Sequence, residues 1–255
     1  MTAQPLQNQV VLIIGAGRWP APDLVRSLAG QGAIIAANDL SPALLDPLAG
    51  AVQRQGGQMR TYIADATRGM PLRAMLDEIL EDWGRIDVLI NNPRIQPNTP
   101  LLEMDEWDWQ RTIEMNLNGP FLVSRLVAKV MREQGRGTSL NIVDTNRAVL
   151  EKPGLAAYAA SQQGLLALSE AAARELIAYN IHVHTLCPDE TLLYDNQRLV
   201  EAQTNPPSSA TTFTTLPGNE LTRLAMYLCG PGAAHLPGQV FCVSHTPQPG
   251  KGQQE

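Results

Sequence analysis

Val10-Val11-Leu12-Ile13-Ile14-Gly15-Ala16-Gly17-Arg18-Trp19-Pro20-Ala21 reads as a buried strand, a tight turn and the start of a helix. Five branched aliphatic residues in a row suit a strand covered on both faces, as in a parallel sheet. The run is too short for a signal h-region or a membrane span, and no basic leader precedes it. Gly15 and Gly17 are the small residues that a strand-to-helix turn needs where backbone comes close to a phosphate. Pro20 lacks an amide donor but is at home in a first helical turn, where that N–H has no partner anyway. The same alternation then repeats along the chain. Strands are expected near Val10–Ile14, Ala33–Asn38, Met59–Ile63, Val88–Asn91, Leu140–Val143, His182–Leu186 and Gln239–Val243. Helices are expected near Ala21–Leu28, Pro42–Gln55, Leu72–Trp83, Glu106–Glu133, Leu155–Tyr179 and Asn219–Leu228. Repeated strand-helix-strand units predict an α/β fold, a doubly wound parallel sheet of the Rossmann type with about seven strands and helices on both faces. Right-handed crossovers then bring every strand's carboxyl end to one edge, where such a sheet binds nucleotides at its switch point.

The 255 residues, 44% hydrophobic and 17% charged, suffice for one core, expected over residues 1–243. Residues 244–255 are polar and rich in Pro, Gly and Gln, which predicts a disordered tail. A net charge of -6 offers no basic footprint for nucleic acid or an anionic membrane. The expected partners are a small molecule and further copies of the chain. Cys187, Cys229 and Cys242 have no metal-type spacing and would leave an odd thiol if paired, so reduced thiols in the cytoplasm are expected. His182 and His184 alternate on a strand with no Cys or carboxylate beside them, and read as half-buried sheet residues.

Asp39 follows the second strand, where a carboxylate can accept hydrogen bonds from ribose hydroxyls and would repel a 2′-phosphate. It would therefore favour NAD(H) over NADP(H), Arg18 being the nearby cation that could compensate. Asp39 could instead cap the helix that begins at Ser41-Pro42. The Gly15–Ala21 turn likewise reads either as bare structure or as an altered cofactor site.

Four further segments fall in a consistent order: Ile63-Ala64-Asp65-Ala66; Gly84-Arg85-Ile86-Asp87-Val88-Leu89-Ile90-Asn91-Asn92; Met115-Asn116-Leu117-Asn118-Gly119; and Thr145 followed by Tyr158-Ala159-Ala160-Ser161-Gln162. Together they resemble the short-chain dehydrogenase/reductase family over roughly Val10 to Val243. The resemblance implies an NAD(P)-dependent oxidoreductase acting on a carbonyl or alcohol, assembled as a dimer or tetramer through helices. It implies a catalytic set of Asn116, Thr145, Tyr158 and Gln162, and cofactor contacts from Gly15, Gly17, Arg18, Asp39, Asp65, Asn92 and Thr191. No metal enters this scheme. The family's Asn91-Asn92 pair is also expected to tie neighbouring strands together.

The departures from the family pattern carry chemical consequences. The family's later turn glycines fall on Trp19, which places an indole where backbone should approach phosphate, and on Ala21, which adds only a methyl; Gln162 stands where the family has the lysine that assists the tyrosine. Unassisted Tyr, with a pKa near 10, is ionised only about one part in a thousand at pH 7, so alcohol oxidation should suffer most. Carbonyl reduction uses the protonated tyrosine and is the less damaged direction. Lys129, Lys152 and Lys251 are the only lysines, and none lies one helical turn after Tyr158. The spacing of six used in the enoyl-reductase branch lands on Gly164. Thr145 keeps a hydroxyl donor and Asn116 an amide. Pro93-Arg94 replaces Ala-Gly, and Arg94 reads as a solvated loop residue or a partner for an anionic ligand. Asp144, beside Thr145, would raise the tyrosine pKa if it pointed inward, with Arg147 as counterweight; both read as loop or surface residues. Asp189 replaces a glycine beside the nicotinamide, and Leu192–Pro217 reads as a substrate lid. These departures leave two functional alternatives, an oxidoreductase with impaired or specialised catalysis and a non-catalytic pseudoenzyme that keeps the fold as a binding or oligomeric scaffold.

Helix Leu155–Tyr179 carries Ala or Leu around most of its circumference. Burial on two sides, against the sheet and against a second subunit together with Trp107–Met131, is the expectation.

Overall fold

β1 (Val10–Ile14) is buried along its whole length and pairs in parallel with β2 (Ile34–Asp39) on one side and β4 (Val88–Asn91) on the other. In the computed structural model, residues 5–92, 94–145, 150–189, 220–233, 236 and 240–244 are described. β3 (Gln58–Ile63) extends the sheet beyond β2, and β5 (Gly137–Ile142), β6 (Ile181–Asp189) and β7 (Val240–Ser244) extend it beyond β4. The resulting order is β3-β2-β1-β4-β5-β6-β7, all parallel. Strand order reverses between β1 and β4, which opens a crevice at their carboxyl ends.

Helices cover both faces because alternate residues of each central strand point to opposite sides. On one face Val11, Ile13, Ile35 and Ile90 pack with α1 (Ala21–Gly30), α2 (Pro42–Arg54) and the helix Glu220–Cys229. On the other, Leu12, Ile14 and Leu89 meet Leu72, Leu76 and Ile79 of α3 (Gly69–Trp83) and Val123 and Val127 of the helix Gly119–Gln134. Among the described residues no helix is long and apolar enough to cross a membrane.

The expected single helix over 106–133 is two helices, α4 (Glu106–Ile113) and α5 (Gly119–Gln134), joined by a π-helical turn at Glu114–Asn118. Pro120 explains the break: it has no N–H for the carbonyl of Asn116, and its ring would collide with that carbonyl in a regular turn. Widening the turn relieves both problems and seats Asn116 in the interior, fully buried. α6 (Ala156–Leu176) lies against β6, and Glu220–Cys229 is α7. The helix expected near Asn219–Leu228 is described over Glu220–Cys229, Asn219 lying outside the described residues. The lid Leu192–Pro217, Thr191, Pro93 and Arg147 lie outside the described residues.

Asn91 and Asn141 bind across the sheet: Asn91 Nδ2 donates to Asn141 Oδ1 at 2.8 Å and to Ser124 Oγ at 3.0 Å. Asn141 Nδ2 donates onward to Ser169 Oγ at 2.9 Å, so one polar chain stitches β4 and β5 to α5 and α6. His182 and His184 are buried, more deeply than the alternating pattern suggested, with ring centroids 6.4 Å apart. No group of three or more metal-ligating side chains is found among the described residues.

Candidate active site

The turn after β1 is held from three directions. Gly15 has φ 72°, a left-handed conformation that suits glycine. Asn92 Nδ2 donates to the carbonyls of Gly15 at 3.1 Å and Arg18 at 2.9 Å. Asp39 accepts the N–H of Gly17 at 3.2 Å through one oxygen and the N–H of Leu40 at 2.8 Å through the other. Asp39 is therefore buried as the clamp of the turn, and Ser41 precedes α2 without a side-chain cap. A side chain on Gly17 would overlap Leu44 Cβ, so close approach to α2 is what this position requires. Gly17→Ala is expected to cost roughly 1–3 kcal/mol through that overpacking; an unchanged urea midpoint would show that α2 yields freely.

Asp65, after β3, accepts the Thr67 N–H at 2.9 Å and its Oγ1 hydroxyl at 2.6 Å. A narrow cleft of about 40 Å³ runs between these groups, lined by Gly15, Arg18, Asp39, Asp65, Thr67 and Arg94. Carboxylates for ribose hydroxyls and guanidinium groups for phosphates stand together there, so the lining fits the adenosine and phosphate portions of a dinucleotide in its chemistry. Trp19, 58% exposed, borders a second and larger cavity of about 550 Å³.

The proton-transfer side is closed. Tyr158, on the first turn of α6, is fully buried and lines neither cavity. Its hydroxyl donates to Asp144 Oδ2 at 2.9 Å. Arg94 Nη2 donates to the same oxygen at 2.9 Å, and the guanidinium carbon sits 5.3 Å from the Tyr158 ring centroid. Burial pushes the Tyr158 pKa far above its ordinary value; Arg94 opposes that shift, and the Asp144 carboxylate adds to it. Gln162 is buried one turn along α6, and its Oε1 accepts the Asp144 N–H at 2.7 Å. A lysine there would have no lone pair for that amide once protonated. Gln162 thus holds the backbone of the residue that holds Tyr158.

Asn116 is committed as well. Its Oδ1 accepts the Ile95 N–H at 2.9 Å, and its Nδ2 donates to the Ile95 carbonyl at 2.8 Å and to Ser161 Oγ at 3.1 Å. Ser161 Oγ in turn donates to the Tyr158 carbonyl at 2.7 Å. Thr145 follows Asp144 beyond β5 and is half-buried; Lys152 is exposed in the approach to α6. Asp189 is the last residue of β6, and Thr191 lies outside the described residues.

The structure therefore brings Asn116, Tyr158 and Gln162 together with Asp144, and Gly15, Gly17, Arg18, Asp39, Asp65 and Asn92 around the crevice. Asp144, expected as a loop or surface residue, is buried and pairs beside Tyr158 with the partly exposed Arg94, expected either as a solvated loop residue or as a partner for an anionic ligand; Arg147, the expected counterweight, lies outside the described residues. The signal for them was present: β4 and β5 are neighbours, and opposite charges follow their carboxyl ends. Chemically, the set directs the Tyr158 proton into a carboxylate.

Residues 9–203 match the family profile described as short chain dehydrogenase. The chain is 28% identical over 244 residues to the 3-oxoacyl-(acyl-carrier-protein) reductase FabG of Thermotoga maritima, covering 93% of this chain and 97% of that protein. It is 30% identical over 187 residues to the D-threitol dehydrogenase of Mycolicibacterium smegmatis, covering 73% and 72%. The solved hydroxysteroid dehydrogenase of Escherichia coli superposes with a TM-score of 0.77 at 25% identity, covering 95% and 97%.

Proposed function

This chain belongs to the short-chain dehydrogenase/reductase family, and we propose that it is an NAD(H)-binding member whose carbonyl and alcohol chemistry is impaired. The observation that carries this reading is the buried Tyr158 hydroxyl donating to Asp144, which Arg94 pairs in turn. A bound dinucleotide supplies the hydride; Gly15, Gly17, Arg18, Asp39, Asp65 and Asn92 would hold it, with Thr191 added by resemblance. What the chain's own residues do is retain a proton. Tyr158 must lose its hydrogen bond to Asp144 before it can protonate a carbonyl oxygen, and its raised pKa weakens it as an acid. For alcohol oxidation the obstacle is larger, because the same raised pKa suppresses tyrosinate.

The NAD(H) preference rests on Asp39, whose charge opposes a 2′-phosphate, although Arg18 borders the same cleft. Calorimetric titration is expected to give tighter binding of NADH than of NADPH. Equal or tighter NADPH binding would reject the preference, and no heat with either at millimolar concentration would reject dinucleotide binding. The relatives named above act on different substrates, so we assign only a small carbonyl or alcohol compound. The thiols of Cys187 and Cys229 fit the reducing cytoplasm expected from the cysteine spacing.

A scaffold role is the second reading, and Trp19 in place of a glycine favours it. Both readings include self-association. Ala156, Ala160, Ala167 and Ala171 form an exposed stripe along α6, and Trp107, Trp109 and Phe121 are exposed on α4 and α5. Small residues let a second helix approach closely, and the exposed aromatics gain from burial. Sedimentation is expected to show a dimer or tetramer; a 27.7 kDa monomer at micromolar concentration would contradict it.

A further inference from the structure

The 550 Å³ cavity beside Trp19 has a composition that the fold does not require. Three guanidinium groups reach it from three separate elements: Arg18 from the turn after β1, Arg94 from the segment after β4, and Arg111 from α4. Among the described residues Asp108 is the only acidic one of its lining, and its carboxylate accepts the Thr99 hydroxyl at 3.2 Å. Arg94 is committed to Asp144. Arg18 is exposed and not in an ion pair with any described carboxylate, while Arg111 lies 4.9 Å from the Trp107 ring centroid, a contact that orients its guanidinium without neutralising it. Cations gathered in one concavity repel one another and raise the local concentration of anions. The volume falls within the range of small-molecule sites, roughly 300–1,000 Å³. Trp19 adds a flat apolar wall, half exposed, next to the charges.

We propose that this cavity binds a small organic anion, a carboxylate or phosphate attached to a flat apolar body, with Arg18 and Arg111 holding the acidic group and Trp19 stacking on the body. Guanidinium forks match either oxyanion in plane, and a neutral isostere leaves both uncompensated. Trp19 then has a role that its place in the turn after β1 does not explain. The proposal deepens the oxidoreductase reading by naming a ligand class, and rests on it only if the bound anion is also the reacting compound. Arg18 borders both cavities and would be shared with a bound dinucleotide, whereas Arg111 and Trp19 line the larger cavity alone.

The test is calorimetry on the full chain without nucleotide, using benzoate and phenyl phosphate as anionic probes and benzamide as the neutral one. At least one anion is expected to bind about tenfold or more tightly than benzamide, and the better of the two identifies the oxyanion. Arg111→Ala and Arg18→Ala are each expected to weaken that anion about tenfold, and Trp19→Ala to reduce phenyl phosphate binding towards that of inorganic phosphate. All three positions are exposed, and a thermal melt of each variant checks that the fold is kept. Benzamide binding as well as the anions, or an unchanged affinity in Arg111→Ala, overturns the proposal. Because Arg111 does not line the narrow nucleotide cleft, loss of NADH binding with retained Arg111-dependent anion binding would reject the oxidoreductase reading alone.

Discussion

The double variant Asp144→Ser with Gln162→Lys is expected to reduce simple ketones with NADH about 100-fold faster than the unmodified chain, and Gln162→Lys alone to gain less than about tenfold. In the single variant the new ammonium stands beside Tyr158, but the tyrosine hydroxyl still donates to Asp144 at 2.9 Å, and the Asp144 N–H loses its acceptor. Serine at 144 removes the carboxylate that competes for the proton and that raises the tyrosine pKa. General acid catalysis contributes about 10²–10⁴-fold where it operates, which sets the scale. Initial rates over a ketone panel measure the effect, and Tyr158→Phe in the double background should abolish the gain. Equal rates for the single and double variants would show that Asp144 is not the obstacle. If neither gains, the same pair in a Trp19→Gly background separates the proton relay from access for the pyrophosphate: a gain only there places the main defect at the turn after β1.

Acidification is expected to destabilise the fold through His184 before the carboxylates titrate. His184 is fully buried on β6, and neither ring nitrogen meets a described hydrogen-bond partner. Burial, with His182 alongside, lowers its pKa to about 4 from an ordinary value of 6.5. Between those values the unfolded chain takes up a proton that the folded chain refuses, so stability is full above pH 6.5 and falls as the pH drops towards 4. The difference corresponds to roughly 3 kcal/mol. Urea midpoints at pH 7.5 and 4.5 should differ accordingly, and His184→Leu should flatten that dependence. A His184→Leu variant with the same pH slope as the parent would move the cause elsewhere.

Much of the fold is legible residue by residue. Val10–Ile14 and Val88–Asn91 have the expected ends because an apolar run bounded by Gly15 or Gly84 admits few alternatives. The split of the helix over 106–133 was legible too, since Pro120 lies inside the pattern, but apolar periodicity continues through the π-helical turn and hides it. Asp39 shows the limit of position alone. Its place after β2 suited a ribose contact or a helix cap, and its carboxylate closes the turn after β1 through Gly17.

Local pattern by itself determined the strand and helix order, the parallel sheet and the crevice, because burial periodicity and spacing are properties of neighbouring residues, and the family resemblance added the reading of Gln162 as standing in place of a lysine after Tyr158. Only the tertiary structure decided what Tyr158 touches. Arg94 and Asp144 are 50 residues apart in sequence and meet because β4 and β5 pair in register. A buried hydroxyl and a buried carboxylate beside a partly exposed guanidinium must satisfy one another, and that requirement turns three separately ordinary side chains into the group that withholds the proton.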